Sequence, residues 1–401
     1  MVGLKAYTTT LISVDSQWPG GFLIMRLSEP SQFTRRDVLA LLGAGGVVAA
    51  LAEQVGLAQA SGWLTARSAN NVSFPKGAII RTILKDVSPD ALRGGATMFH
   101  EHLIGVGSYN SPPPPSACPA PCSPPVSAPV IQGVDLLVEE LKGSASDGVT
   151  CIVNSTTARP TDQNLRDLRD LATRSGLHIV AAGGYFRAAY PKDFGEITAD
   201  RFADSLVQDA QAQRWGAFGE IGTSMQMEAD ERKFLVALSK AQPRTNLPIF
   251  THTPHQSCPS CALEQLDILT KGGVNPKSIC IGHLSTIKMD DDPPGQTLKT
   301  VAKAGAFIGF DTVGHQMSQS HIPERQKVAR VLQVLEAGYE DNLLLSGDFA
   351  QTHNLKANWG SGFSSVVLQF VPKLRHAGVK DATLHKILVD NPRRFLAFVP
   401  K

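Results

Sequence analysis

The stretch "MFHEHLIG", residues 98 to 105, sets His100 and His102 on either side of Glu101 in a short apolar run. On a strand, the two-residue period turns both imidazoles to one face. Two imidazoles on one face are half of a metal site. A His-x-His pair alone is equally well two ordinary polar residues, so the rest of the chain must supply the other ligands. Four further metal-competent side chains close apolar runs downstream: Glu220 in "GAFGEIGT", His252 in "PIFTHT", His283 in "SICIGHL" and Asp348 in "NLLLSGD".

The elements that must position these side chains are legible as a series. Apolar or β-rich runs recur near residues 96, 150, 178, 216, 248, 278, 306 and 342. Most intervals are near 30 residues, about the length of one βα unit. Helical faces fill several of them, with Leu165, Leu168, Leu171 and Ala172 before Gly176, and Val328, Val331, Leu332 and Leu335 between Pro323 and Gly338. Eight such units predict an α/β fold, a (β/α)8 TIM barrel forming one catalytic domain over residues 79–401. In that barrel the strands' C-terminal ends converge on the active site. His100 and His102 would end strand 1, Glu220 strand 4, His252 strand 5, His283 strand 6 and Asp348 strand 8. Four histidines and two carboxylates exceed one tetrahedral zinc and suit two ions sharing a bridge. The first interval is longer because of "SYNSPPPPSACPAPCSPPVSAPV", too proline-rich for helix or interior strand, and is expected to be an irregular loop.

Composition excludes other classes. The 401 residues are 42% hydrophobic and 18% charged, and 38 Lys+Arg nearly balance 36 Asp+Glu, so no basic field marks a nucleic-acid binder. After the first 60 residues no apolar run is long enough to span a bilayer, and no stable membrane anchor is expected. The N-terminus has the order of a secretory signal: Arg35 and Arg36, an apolar stretch from Val38 to Ala52, and the small-x-small "AQA" at 58 to 60. The adjacent arginines resemble the twin-arginine signal. Residues 1–60 are therefore expected to be an extension and signal peptide read by the twin-arginine export machinery. Met25 is a candidate start, cleavage would fall near Ala60, and residues 61–78 would be a linker. The mature protein is expected in the periplasm or outside the cell.

From "IRTILKDVSP" through "HEHL", "GEIGTS", "THT", "IGHL", "FDTVG" and "SGD" to "NPRRFLAF", the motifs run in the order of a known family. The chain after residue 78 resembles the phosphotriesterase family of the amidohydrolase superfamily. The resemblance implies that His100, His102 and Asp348 hold a more buried ion, His252 and His283 a more exposed one, and Glu220 bridges the two. Many members carry a carbamylated lysine at the bridge; glutamate in "GEIG" is closer to the phosphotriesterase-homology branch. The implied cofactor is two divalent ions, zinc first, with manganese, cobalt or iron as alternatives. The implied mechanism is attack by a hydroxide lying between the ions, with Asp348 as the proton acceptor.

Departures bear on the small-molecule substrate. "GFDTVG" keeps Asp311, but Thr312 stands where phosphotriesterases carry histidine and lactonases arginine. "LSTIK" after His283 lacks the proton-relay aspartate of the phosphotriesterases. Tyr185 and Phe186 in "GGYFRAAY" fall near the site, out of step with the lactonase tyrosine, and are equally plain packing residues. The expected function is hydrolysis of an ester, lactone or phosphotriester, although efficient paraoxon turnover is not implied. The alternatives are an N-acyl amide hydrolase on the same site and an exported metal-binding protein without turnover; a homodimer is left open.

His255, His315, His321 and His353 fall in loops near the same rim, whereas His178, His376 and His385 lie away from it. Cys151 and Cys280 read as small buried hydrophobes. Cys118 with Cys122, and Cys258 with Cys261, form two C-x-x-C-like pairs, either a four-cysteine zinc site or, as an oxidising compartment favours, local disulfides.

Overall fold

Eight parallel strands occupy the eight apolar runs: β1 (Ala96–Glu101), β2 (Val149–Asn154), β3 (His178–Gly183), β4 (Ala217–Gly222), β5 (Ile249–His252), β6 (Ile279–Ile281), β7 (Phe307–Phe310) and β8 (Leu343–Leu345). This computed structural model describes residues 62–65, 72–104, 133–187, 190–315 and 322–401. The segment read as an export signal, the proline-rich stretch with Cys118 and Cys122, and His321 lie outside the described residues.

Each strand pairs in parallel with the next in sequence. The ring is closed where β1 ends against the segment after β8, by hydrogen bonds from His102 N to Phe349 O and from Asp348 N to His100 O, both 3.0 Å. That closure brings the first and last predicted ligands side by side.

Helices follow seven of the strands: α1 (Val134–Ser146), α2 (Asp162–Ser175), α3 (Ala199–Ala212), α4 (Ala229–Thr245), α5 (Pro259–Lys271), α6 (Gln296–Lys303) and α7 (Glu324–Glu336). Helical turns at Val366–Phe370, Val371–His376, Asp381–His385, Lys386–Asp390 and Asn391–Leu396 follow β8. In α2, Thr161 caps the N-terminus reciprocally with Asn164, and Gly176 takes the left-handed conformation (φ 77°) that ends the helix. Leu165, Leu168, Leu171 and Ala172 form its buried face, as the spacing predicts.

The face of α7 is rotated from the sequence expectation. Val331 and Val334 are buried with Lys327 and Arg330, while Val328, Leu332 and Leu335 are only partly buried. Both cations donate to backbone carbonyls: Lys327 to Thr312 O, and Arg330 to Asp292 O and Lys288 O at 2.7 and 2.6 Å. Their long apolar stems are buried along with the charged heads.

Two apolar layers result. One lies between barrel and helices; the other fills the barrel with Phe99, Cys151, Val153, Val180, Phe250, Cys280 and Leu344. A leading hairpin, Ile80–Arg81 against Asp86–Val87, adds Ile80 and Val87 to the inner layer together with Phe395 and Leu396. Cys151 and Cys280 are free and buried within strands, as expected. Inside the segment read as linker, the turn Gly62–Thr65 places Trp63 wholly in the outer core, where its carbonyl accepts from His385 Nδ1 at 2.8 Å. Among the described residues no helix is long and apolar enough to cross a membrane.

Candidate metal centre

A regular strand cannot place both Phe99 and His100 inside the barrel. β1 carries one extra residue relative to β2, since Met98 pairs with Ile152 but Glu101 with Asn154. Such a bulge reverses the alternation of faces. Phe99 therefore packs in the interior against Phe250 (ring centroids 6.5 Å) and His100 does so as well (5.2 Å). The same device recurs in β4, where Phe218 pairs with Ile249 but Ile221 with Thr251. Gly219 and Glu220 thus both face inward, and a Cβ on Gly219 would lie 2.3 Å from the Phe250 ring.

His283 and Asp348 stand just beyond their strands in the left-handed backbone region, at φ 57° and 53°. Side chains avoid that region, and it is kept where surrounding bonds over-determine it. Here the backbone N–H of His283 donates to Asp311, and that of Asp348 to His100 O.

All six predicted residues meet. His100 Nε2 lies 3.6 Å from Glu220 Oε2 and 3.5 Å from Asp348 Oδ1; His102 Nε2 lies 3.3 and 3.0 Å from the same two oxygens. The other Glu220 oxygen, Oε1, is 3.1 Å from His283 Nε2 and 3.8 Å from His252 Nε2. One carboxylate therefore turns one oxygen to each histidine pair, the arrangement of a bridge. Asp348 also spans the groups, its Oδ2 lying 3.9 Å from His283 Nε2.

Two further residues belong to the cluster. Asp311, just past β7, accepts from His100 Nδ1 at 2.8 Å and from His283 Nδ1 at 3.0 Å. The sequence shows Asp311 at a strand end but offers no spacing partner that would assign this role. His255, placed in a loop by the sequence, joins His252 and His283 as a third imidazole. Loop position alone hid it.

Donor chemistry fits metal. With Nδ1 committed to Asp311, neutral His100 and His283 present a bare Nε2, the tautomer that metal-binding histidines need. His100 Nε2 is fully buried and meets no hydrogen-bond partner among the described residues. Burying such an atom without a partner is costly, and an ion between it and the carboxylates removes the cost.

Electrostatics agree. Burial alone would lower the histidine pKa values, but Glu220, Asp348 and Asp311 outweigh it: His100 is raised well above the usual value, His102 to about 9 and His283 to about 10. Burial opposes charge on Glu220, Asp348 and Asp311 too, yet the facing imidazoles hold all three below the carboxylate range. The cluster calls for positive charge, protons or metal. On its more open side, burial and the charge of His283 push His252 to about 4 and His255 to about 2, so both imidazoles are neutral.

Around the cluster, Phe186 stands edge-on to His252 at 4.7 Å, whereas Tyr185 packs away among Tyr190, Phe202 and Phe234. His315 donates from its ring to the carbonyls of Gly347 and Asp348 and so braces the loop that carries Asp348. Cys258 and Cys261 are joined in a local disulfide, as expected.

Residues 80–396 match the profile described as the phosphotriesterase family. The N-acetyltaurine hydrolase of Danio rerio is 28% identical over 350 residues, covering 80% of this chain and 98% of that one. The enzyme of the same name from Rattus norvegicus is 27% identical with the same coverage. Among solved structures, a resiniferatoxin-binding protein from Rhodobacter sphaeroides superposes with TM-score 0.67 at 27% identity, over 79% of this chain and 94% of that one. A lactonase from Listeria monocytogenes shares the fold, with TM-score 0.64 at 24% identity over 80% and 100%. This chain, a TIM barrel with paired histidine-carboxylate clusters on its rim, belongs to the phosphotriesterase family of metal-dependent hydrolases.

Proposed function

We propose that the chain is a binuclear metal-dependent hydrolase that cleaves N-acyl amides, with a small anionic amine of the taurine kind as the leaving half. The observation that carries this reading is the match, over 80% of this chain and 98% of theirs, to enzymes named for hydrolysis of such an amide. It moves amide hydrolysis ahead of the ester, lactone and phosphotriester substrates.

His100, His102 and Asp348 would hold the more buried ion, His252 and His283 the more exposed one, and Glu220 would span them. Two divalent ions there supply Lewis acidity toward the acyl oxygen and a hydroxide near neutral pH; zinc is the first choice for a set of imidazoles and carboxylates. Asp311 holds the rings of His100 and His283 in one tautomer. Asp348 Oδ2, on the open side, is the oxygen that takes the proton of the attacking water and returns it to the departing nitrogen. Amines leave poorly unless protonated, so this transfer matters more for an amide than for an ester. Phe186 supplies an apolar wall beside His252. The same reading takes the protein as exported by the twin-arginine route and cleaved near Ala60.

The test is a substrate panel of N-acetyltaurine, an aryl ester, a lactone and paraoxon, run on protein of measured metal content with and without chelator. Taurine release that chelation abolishes and zinc or manganese restores is the expected result. Protein with two ions bound that leaves the amide intact would overturn the substrate assignment; inactivity on every substrate would favour a metal-binding protein without turnover.

A further inference from the structure

Six ligands account for two ions of the kind the family uses, yet a seventh side chain stands among them. His255 lies three residues past His252, on the turn between β5 and α5. His252, His255 and His283 each offer a nitrogen within 4.8 Å of the other two. The His255 ring centroid is 4.1 Å from that of His283 and 5.0 Å from that of His252. A tetrahedral ion with bonds of about 2.0–2.1 Å keeps its nitrogen ligands about 3.4 Å apart, so a small closing movement suffices.

Orientation separates a ligand from a residue that only lines the mouth. His255 Nε2 turns inward to within 3.8 Å of Asp348 Oδ2, the oxygen that His283 Nε2 also faces at 3.9 Å. The turn is anchored on its far side. Ser257 Oγ donates to Asp291 at 2.5 Å and accepts from Lys288 N at 2.9 Å, and Cys258 is bonded to Cys261. A ring so held is placed before any ion arrives, which lowers the cost of binding one.

We propose that His255 is a direct ligand of the more exposed ion, held by three imidazoles and the shared Glu220 rather than by two imidazoles and the bridge. A site with four protein ligands should resist chelation, and substrate must enter it by raising the coordination number. The inference rests on the paired metal centre and not on the choice of amide substrate. Two bound ions without amide turnover would end that choice and leave the inference standing.

Metal-free wild type and His255→Ala, refilled with zinc, distinguish the roles by competition with a chromogenic chelator. Loss of an outer hydrogen-bond partner weakens metal binding by about 10–100-fold; loss of a direct ligand should weaken the second equivalent by more than about 100-fold while the first keeps its wild-type affinity. Two equivalents held at wild-type affinity, with only KM altered, would make His255 a substrate-facing residue and overturn the proposal. X-ray absorption at the zinc edge of the wild type needs no variant to fold: five imidazoles shared by two zinc ions support His255 as a ligand, and four refute it.

Discussion

Asp311 takes two hydrogen bonds from His283, one from the ring Nδ1 at 3.0 Å and one from the backbone N–H at 2.9 Å, and so fixes both the tautomer and the unusual backbone of that residue. Its second oxygen holds His100 Nδ1 at 2.8 Å. One carboxylate thus orients a histidine in each half of the candidate metal centre. Asp311→Asn replaces one acceptor oxygen with an amide that can only donate. Metal affinity should fall by about 10–100-fold for both ions. Chelator competition giving wild-type affinity for both would show that the rings are held by packing alone.

Glu101, between the two histidines of "HEH", turns into the loop after β8. Its Oε1 accepts from Ser346 Oγ at 2.8 Å and Gly347 N at 2.7 Å, and its Oε2 from Phe349 N at 2.9 Å. These three bonds flank Asp348. Burial pushes the Glu101 carboxyl up to about 7. Glu101→Gln leaves one oxygen for three donors, and each hydrogen bond of this kind contributes about 0.5–3 kcal/mol. The expected outcome is a lower melting temperature and a drop in kcat with KM nearly unchanged, because Asp348 is displaced while the substrate pocket is not. A raised KM at constant kcat would contradict this positioning role.

The strands and six residues of the candidate site were legible because five of the eight apolar runs end in metal-competent side chains, and the barrel topology carries run ends to one rim. What was not legible depends on contacts that cross between strands. The extra residue in β1 that turns His100 inward shows only against the register of β2, and the one in β4 only against β5. Asp311 follows an apolar run like the ligands do, yet its partners lie 211 and 28 residues away. His255 reads as a solvated loop residue until the turn brings it back beside His283. The α7 face differs from the sequence expectation because Lys327 and Arg330 count as polar by type, although both are buried and donate to backbone carbonyls of neighbouring loops.

Metal and protons compete for the same nitrogens. In the metal-free protein His102 titrates at about 9 and His283 at about 10, with His100 also raised, whereas His252 and His255 are neutral through the working range. At neutral pH the buried-site ion must displace protons from two imidazoles and the exposed-site ion from one. Affinity for the buried-site ion should therefore climb more steeply with pH. A raised folded-state pKa stabilises below the unfolded value, about 6.5, and that stability is lost as pH rises through the folded value. The metal-free protein should accordingly lose melting temperature progressively from about pH 6.5 until pH passes about 9 to 10, and the metal-loaded protein should not. Equal pH slopes for the two ions, measured with proton release in weak buffer, would refute the asymmetry.

Export has its own test. Changing both Arg35→Lys and Arg36→Lys keeps the charge but removes the receptor-read pair. Precursor should accumulate in the cytoplasm, seen by fractionation and immunoblot. Normal export of the double variant would remove the twin-arginine reading and leave the metal centre untouched.

Glu220 carries the most specific expectation. Its two oxygens face different histidine pairs, Oε2 toward His102 at 3.3 Å and Oε1 toward His283 at 3.1 Å. Two dications brought this close repel strongly in a buried site, and the negative charge between them offsets that repulsion. Glu220→Gln keeps the shape and removes the charge, so metal content should fall from two equivalents toward one, with most activity lost. A bridging lysine must be carbamylated before it can bind, whereas Glu220 is already a carboxylate. Metal-free wild type given zinc or manganese should therefore recover at a rate independent of added bicarbonate. In Glu220→Lys, by contrast, any recovery should depend on bicarbonate. If Glu220→Gln retains both ions and a substantial share of the rate, the carboxylate is an outer partner and not the bridge.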